Sequence, residues 1–487
     1  MESYTSSGTA SAAATERPHV VLLASPGAGH LIPLAELARR LVEHHGFAAT
    51  LVTFTNLSFP AHVLASCQLP ASIATATLPA VDISDLPADS DIDMYVQVTR
   101  RSLPNLRALV RSISSTGARP LAALVPDFLC SEALLVAAEL GVPGYVFVPT
   151  NLAWLALRRQ LVERHHGLAP GEYRDFPEVV ELGGGVSMRR ADLPVVYHDP
   201  KRLAFPLLLE GGRRFLRADG FLVNTFYEME PGLVEAFKLA TEGGAFPPVF
   251  AAGPFVRPES DVDASPCLEW LDRQPTGSVV YVSLGSGRAL SLEQTTELAA
   301  GIEDSGQGFL WVVRMPALTT SELETTAAGG NKDDPLAWLP EGFLERTAGR
   351  GLAITAWSPQ VRALSHPATA AFVSHCGWNS TLESVRCGVP MVTLPLGAEQ
   401  KMNAIILEGI LGVALRPAAR GDGVVVREEI SAAVKELLAV GEKGRAVRSR
   451  AGHMQQAAVR ACLPEGSSGR ALHQVATKWK AAWGMEK

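Results

Sequence analysis

The sequence predicts an α/β protein in which two successive βα series each wind a parallel sheet. Three observations point there. Short apolar runs of strand length alternate with helix-length patterns along most of the chain. At 487 residues the chain is longer than one ordinary domain. A stretch rich in Pro, Asp and Ser, residues 253–266, separates the two series and reads as a linker.

Residues 1–17 are rich in Ser, Thr and Ala and lack the basic and apolar segments of a signal peptide, so they are expected to be a disordered leader. His19 to Ser25 is the first strand, and Pro26-Gly27-Ala28-Gly29 a tight turn. From His30 a helical pattern follows, with Leu31, Leu34, Ala35, Ala38, Leu41 and Val42 on one face, and Ala49 to Phe54 is the next strand. The G-x-G of the turn resembles a dinucleotide fingerprint. The third glycine and the acidic residue about 20 positions on are missing, which disfavours a nicotinamide enzyme. Residues 60–93 read as an irregular loop region. The triplets Asp89-Ser90-Asp91, Asp91-Ile92-Asp93 and Asp261-Val262-Asp263 are acidic pairs of the kind that bind a cation. They stand in polar, loop-like surroundings rather than at a strand end, so no metal is expected. Leu121 to Val125 is a strand ending at Asp127, a helix covers Ser131 to Leu140, and Gly144 to Val148 is a strand ending at Thr150. Parallel winding brings His30, Asp127 and Thr150 to one rim. The apolar helix Leu152 to Val162, with Trp154, and the Gly-rich loop 182–200, with Tyr197, are candidates to line a pocket, although interdomain packing accounts for them equally well. Gly220 to Thr225 and Phe246 to Phe250 close the first series.

The second series opens with the strand Ser278 to Leu284, the small-residue turn Gly285-Ser286-Gly287, a helix from Ser291 to Asp304 and a strand from Phe309 to Arg314. Residues 318–334 are polar and expected to be a mobile loop. The stretch from Trp357 to Gln400 carries the chemistry. An apolar run ends at Trp357 and a second ends at Ser374 and His375. The turn Cys376-Gly377-Trp378 leads to Asn379 and Ser380, which open a helix that stops at Gly388. A third run, Pro390 to Pro395, leads to Glu399 and Gln400. Taken singly, Asn379 and Ser380 are ordinary N-caps, Glu383 a charge favourable to the helix dipole and Trp357 a packing residue. Together, at strand ends, they suit a sugar nucleotide. The helix N-terminus offers unpaired N–H groups to a diphosphate, an indole face suits a base, and a carboxylate and an amide suit sugar hydroxyls. Helices fill the remainder, and a last one spans Ser467 to Trp483.

The pattern W..PQ...L.H.....F..HCGWNS..E....GVP....P...EQ closely resembles the signature box of plant UDP-dependent glycosyltransferases of small molecules. The resemblance covers nearly the whole chain after the leader. It implies two Rossmann-like domains facing each other across a cleft, the GT-B fold: an acceptor domain at 18–252, a UDP-sugar domain at 267–463, and a last segment, 464–487, packing back on the first domain. It implies that Trp357 stacks on uracil with Gln360 near the uridine, that Glu383 binds the ribose, and that Ser286, His375, Asn379 and Ser380 hold the diphosphate. Trp378, Glu399 and Gln400 hold the sugar, with Gln400 favouring glucose, and Thr150 contacts it too. The segments CLEWLDRQPTGSVVYVSLGSG and LPAVDISDLP are most similar to the hydroquinone and phenol glucosyltransferase group. Gly397 departs from the Tyr frequent in close relatives, which is expected to widen the sugar or acceptor side.

The chemistry follows from acidity. A phenol titrates near 10 and an imidazole near 6.5, so a neutral His30 is a fitting general base, kept neutral by the helix dipole and oriented by Asp127. The resemblance, through PGAGH and VPDFLCSE, gives His30 and Asp127 those roles, in an inverting transfer of glucose from UDP-glucose to a small hydrophobic acceptor with no cofactor and no metal. A net charge of −7 with no basic stripe argues against nucleic acid. No apolar run reaches membrane-spanning length. Six cysteines without a C-x-x-C pair suit free thiols in a reducing, cytoplasmic compartment, and nothing demands a partner chain, so a monomer is expected. The rival readings are a sugar-nucleotide epimerase or hydrolase on the same architecture and a non-catalytic UDP-sugar-binding protein.

Overall fold

The computed structural model describes residues 17–56, 67–86, 91–116, 121–169, 171–202, 204–257, 265–318, 333–356 and 358–485. Residues 1–16 of the leader, Asp89 and Ser90 of the first acidic triplet, the triplet Asp261-Val262-Asp263, most of the 318–334 loop and Trp357 lie outside the described residues.

Strands β1 (His19–Leu23), β2 (Ala48–Phe54), β3 (Ile73–Leu78) and β4 (Ala123–Pro126) form a parallel sheet in the order β3-β2-β1-β4. Next come β5 (Tyr145–Val148), an antiparallel hairpin β6 (Val179–Gly183) and β7 (Val186–Arg189), then β8 (Gly220–Val223) and β9 (Val249–Ala251). β5, β8 and β9 pair in parallel, and bridges Leu124–Gly144 and Asp127–Phe147 join them to β4, so one sheet runs β3-β2-β1-β4-β5-β8-β9. In the second half β10 (Val279–Ser283), β11 (Gly308–Val312), β12 (Gly351–Ile354), β13 (Thr369–Ser374), β14 (Met391–Thr393) and β15 (Ala414–Leu415) form a parallel sheet ordered β12-β11-β10-β13-β14-β15. Central strands are buried along their length, as in β1 from Val20 to Leu23, which is why they read as unbroken apolar runs rather than alternating ones. The expected α/β architecture of two Rossmann-like domains is what the chain forms.

The register positions the site. Leu23 is level with Pro126, and the Leu23 carbonyl accepts the Asp127 N–H at 2.8 Å. The first helix, Ala28–His45, and the strand-end residue Asp127 therefore leave the sheet side by side. The helix stops at Gly46, in the left-handed region at φ 70°. The C-terminal helix, Ser467–Met485, returns to the first sheet. Trp479 is fully buried there, edge-on to Tyr145 (5.1 Å) and Phe47 (6.0 Å).

Several local expectations change. The 60–93 region contains β3, whose Ile-Ala-Thr-Ala-Thr-Leu run alternates but is small and set among prolines. A helix, Asp91–Thr116, starts at Asp91, so Asp91-Ile92-Asp93 forms its first turn rather than a loop. The expected Ser131–Leu140 helix is a 3-10 segment, Phe128–Ala133, followed by a short helix, Leu134–Glu139. The Gly-rich 182–200 loop includes the β6–β7 hairpin, turned by Gly183, Gly184 and Gly185 at positive φ. All six cysteines are free thiols. Among the described residues no helix is long and apolar enough to cross a membrane, and no cluster of three or more His, Cys, Asp or Glu is placed to hold a metal.

Candidate active site

His30 stands in the first turn of its helix, two residues inside the Ala28 start. Its Nδ1 donates to Asp127 Oδ2 at 3.0 Å, and Nε2 has no partner among the described residues. Asp127 is fully buried. Its Oδ1 accepts from Ser25 Oγ at 2.7 Å and from the Leu129 N–H at 3.0 Å. These bonds fix the carboxylate, which fixes the imidazole tautomer. The helix-dipole effect expected to hold His30 neutral does not decide its titration. Burial pushes the imidazole down, but the Asp127 charge and hydrogen bond, joined by Glu399, outweigh it, and the pKa is raised above its ordinary value. Thr150 follows the end of β5 with its Oγ1 buried and unpartnered.

On the second domain, Gln360 joins two of the expected donor-site residues. Its Nε2 donates to Glu383 Oε2 at 2.6 Å and to Ser380 Oγ at 2.9 Å. The helix Trp378–Cys387 starts two residues earlier than Ser380, so Glu383 lies beyond its first turn and is not a dipole partner. Burial raises the Glu383 carboxyl to about 7, with Gln360 and Arg257 pulling it back. His375 lies between two glycines. A Cβ on Gly285 would come within 2.6 Å of its Nε2 and one on Gly377 within 2.3 Å. Of the Gly285-Ser286-Gly287 turn, Gly285 thus has a packing reason to lack a side chain, since it seats His375, whereas a Cβ on Gly287 would meet nothing within 4 Å. Burial lowers His375 to about 4, and its Nδ1 has no partner, so it faces the helix N-terminus as a neutral ring. Ser286 is exposed on its turn.

Gln400 Oε1 accepts the N–H groups of Leu396 (2.8 Å) and Gly397 (3.0 Å), which leaves its amide nitrogen without a partner among the described residues. Glu399 is pushed up by burial and pulled down by His30, Asn403 and Arg288, so it lies within electrostatic reach of His30. The space left by Gly397 is not open. Arg288 folds over it, and a Cβ at Gly397 would meet Arg288 Nε at 2.8 Å.

The structure also shows contacts that sequence reasoning missed, some of them made by residues it had named, and others by Asn151, Asn224, Glu230 and Asn403, which it had not. Asn379 Nδ2 donates to the Gly29 carbonyl at 2.8 Å, and Asn151 Nδ2 to Asn403 Oδ1 at 2.6 Å. The Trp378 indole N–H donates to the Asn224 carbonyl at 2.7 Å. Buried Glu230 accepts from Leu152 and Ala153 at the start of the Leu152–Arg164 helix. For Asn151 and Asn224 the only sequence signal was their place after strand ends, and Asn403, inside the helix Gln400–Ile405, had none.

A family model described as "UDP-glucoronosyl and UDP-glucosyl transferase" matches residues 256–439. Over 467 residues the chain is 44% identical to a hydroquinone glucosyltransferase of Rauvolfia serpentina, an alignment covering 95% of this chain and 98% of that one. It is 37% identical over 485 residues to an anthocyanidin 3-O-glucosyltransferase of Manihot esculenta, covering 97% of each. Among solved structures it is similar to a Polygonum tinctorium UDP-glucosyltransferase capable of glucosylating indoxyl, in complex with 3,4-dichloroaniline. The TM-score is 0.86 and the identity 40%, over 96% of this chain and 99% of that one. It is also similar to a Phytolacca americana glycosyltransferase complexed with UDP-2-fluoro-glucose and pterostilbene, with a TM-score of 0.83 and 38% identity, over 95% of this chain and 100% of that one.

Proposed function

The chain belongs to the UDP-dependent glucosyltransferase family, and on that footing we propose that it moves glucose from UDP-glucose to the hydroxyl of a small phenol, giving a β-glucoside. The observation that carries the reading is the His30–Asp127 pair, an imidazole held by a buried carboxylate at 3.0 Å, within electrostatic reach of Glu399.

In the reaction, His30 Nε2 takes the acceptor proton as the acceptor oxygen bonds to the anomeric carbon. The bond from that carbon to the β-phosphate oxygen breaks on the opposite face, and UDP leaves with the bonding pair. Asp127 stabilises the imidazolium that forms. Ser286, Asn379, Ser380 and the helix N-terminus hold the departing diphosphate, and His375 contributes as a neutral donor. Gln360 and Glu383 take the uridine and ribose, with Trp357 stacked on the base. Trp378, Glu399, Gln400 and Thr150 hold the sugar. Residues 18–252 serve the acceptor and 267–463 the donor, joined by 253–266, with 464–487 bracing the first domain. The enzyme works as a cytoplasmic monomer without a metal.

The test is UDP release from UDP-glucose with and without a panel of small phenols, with product mass. Acceptor-dependent UDP and a hexose mass gain, unchanged by a chelator, are the expected results. UDP released without acceptor would mean a hydrolase or epimerase.

A further inference from the structure

Two buried asparagines join the halves of the chain through hydrogen bonds that run in one direction only. Asn151 follows Thr150 after β5 and caps the helix Leu152–Arg164, its Oδ1 accepting the Trp154 N–H at 2.9 Å. That leaves its Nδ2 to donate, which it does to Asn403 Oδ1 at 2.6 Å. Asn403 in turn donates its Nδ2 to the Cys376 carbonyl at 2.9 Å. Both asparagines are fully buried. A backbone N–H fixes one end of the series and a backbone C=O the other. Flipping either amide would set nitrogen against nitrogen or oxygen against oxygen, so the series holds a single arrangement.

Each point of attachment borders the candidate site. Cys376 stands between His375 and Gly377, where the helix Trp378–Cys387 begins, and it takes a left-handed φ of 64°. That region is unfavourable for a residue with a side chain and persists where neighbouring bonds impose it. Asn403 holds the Cys376 carbonyl, and the Ser374 hydroxyl accepts the Cys376 N–H at 3.2 Å. Asn403 also lies one turn along from Glu399 in the helix Gln400–Ile405, and its N–H donates to the Glu399 carbonyl at 3.0 Å. Burial raises the Glu399 carboxyl, and Asn403 is among the groups that draw it back.

We propose that Asn403 is a positioning residue for glucosyl transfer, which sets the Cys376 turn and the Glu399 helix in register with the β5 end that carries Thr150 and Asn151. Donor and acceptor are then held at one spacing, so that the acceptor oxygen meets the anomeric carbon. A displacement of about 1 Å in such an arrangement costs about 100-fold in rate. The proposal rests on the glucosyl-transfer reading above and adds to it a residue that acts through others.

The experiment measures kcat for a small phenol and, by calorimetry, the affinity for UDP. Asn151→Ser keeps a capping oxygen for the Trp154 N–H and deletes the nitrogen that reaches Asn403. Its kcat is expected to fall about 10- to 100-fold while UDP affinity holds. Asn403→Ala frees the Cys376 carbonyl as well, and should in addition weaken UDP binding about tenfold. A wild-type kcat in Asn151→Ser would overturn the proposal. So would an equal loss of kcat and UDP affinity in that variant, since general loosening moves both together. Should Asn403→Ala not fold, Asn151→Ser decides. Should Asn151→Ser not fold, Asn151→Asp decides on the same two readouts, because it also caps but sets an acceptor against Asn403 Oδ1. Acceptor-dependent turnover by the wild type tests the parent reading before any variant is made, so the two failures are told apart.

Discussion

Asn379 of the second domain donates its side-chain amide to the backbone carbonyl of Gly29, the residue before His30, at 2.8 Å. The helix end proposed to hold the diphosphate is thereby tied to the turn that carries the proposed base. An Asp at this position could not donate to Gly29 and would set a negative charge beside the diphosphate. Asn379→Asp is expected to raise the Michaelis constant for UDP-glucose by roughly tenfold or more. Steady-state kinetics with the donor varied checks this, and an unchanged constant would remove Asn379 from the donor site.

The pH dependence of His30 has a definite sign. A raised pKa means the imidazole is protonated, and useless as a base, up to a pH above its ordinary 6.5. The acid limb of kcat/KM should fall there. Asp127→Asn removes the charge that raises His30 and disturbs the tautomer. Its kcat should drop about 10²- to 10⁴-fold, while the acid limb of the residual activity moves to lower pH. A pH–rate profile of both proteins reads the two effects apart.

Glu383 gives the opposite kind of linkage. Burial raises its carboxyl to about 7, so the folded chain resists ionising it. Its stability contribution is fully present below the ordinary carboxyl value near 4.5 and is lost as pH rises through about 7. Glu383→Gln carries no such penalty. Between pH 5 and 8 its stability relative to the wild type should improve by up to about 3 kcal/mol. Urea unfolding at the two pH values measures it, and a constant difference would mean that the carboxyl is not burdened by burial.

Gly397 and Arg288 should behave as one unit. A methyl group at Gly397 would press on the Arg288 side chain, which must then leave its position beside the Glu399 loop. Gly397→Ala is expected to change the donor Michaelis constant in the wild-type background and to have little effect once Arg288 is Ala. A double-mutant cycle gives the coupling directly; additive effects would show that the two residues act separately.

Most of the scaffold was legible because parallel strands buried on both faces announce themselves as apolar runs, and their carboxyl ends announce where ligands bind. His30 and Asp127 could be paired on that ground alone, and they meet at 3.0 Å. What stayed hidden depends on distant contacts. β3 is small and alternating and needed β2 beside it to be recognised as a strand. The Asn151–Asn403 and Trp378–Asn224 bonds join residues far apart in sequence, so no local pattern announces them. Gly397 suggested a gap because its filler, Arg288, comes from another loop.

The docking of the C-terminal helix reaches into how the protein is made. Trp479, Leu472 and Val475 complete a core whose other members include Val20, Leu34, Phe47 and Tyr145, close to the start of the chain. A chain emerging from the ribosome offers the first sheet early but withholds its last wall until the helix Ser467–Met485 has been made, more than 300 residues after Tyr145. Until then the apolar patch around Phe47 and Tyr145 stays uncovered, and a chaperone or a neighbouring nascent chain competes for it. The second domain can close its sheet in the meantime, so assembly ends at the domain that began first.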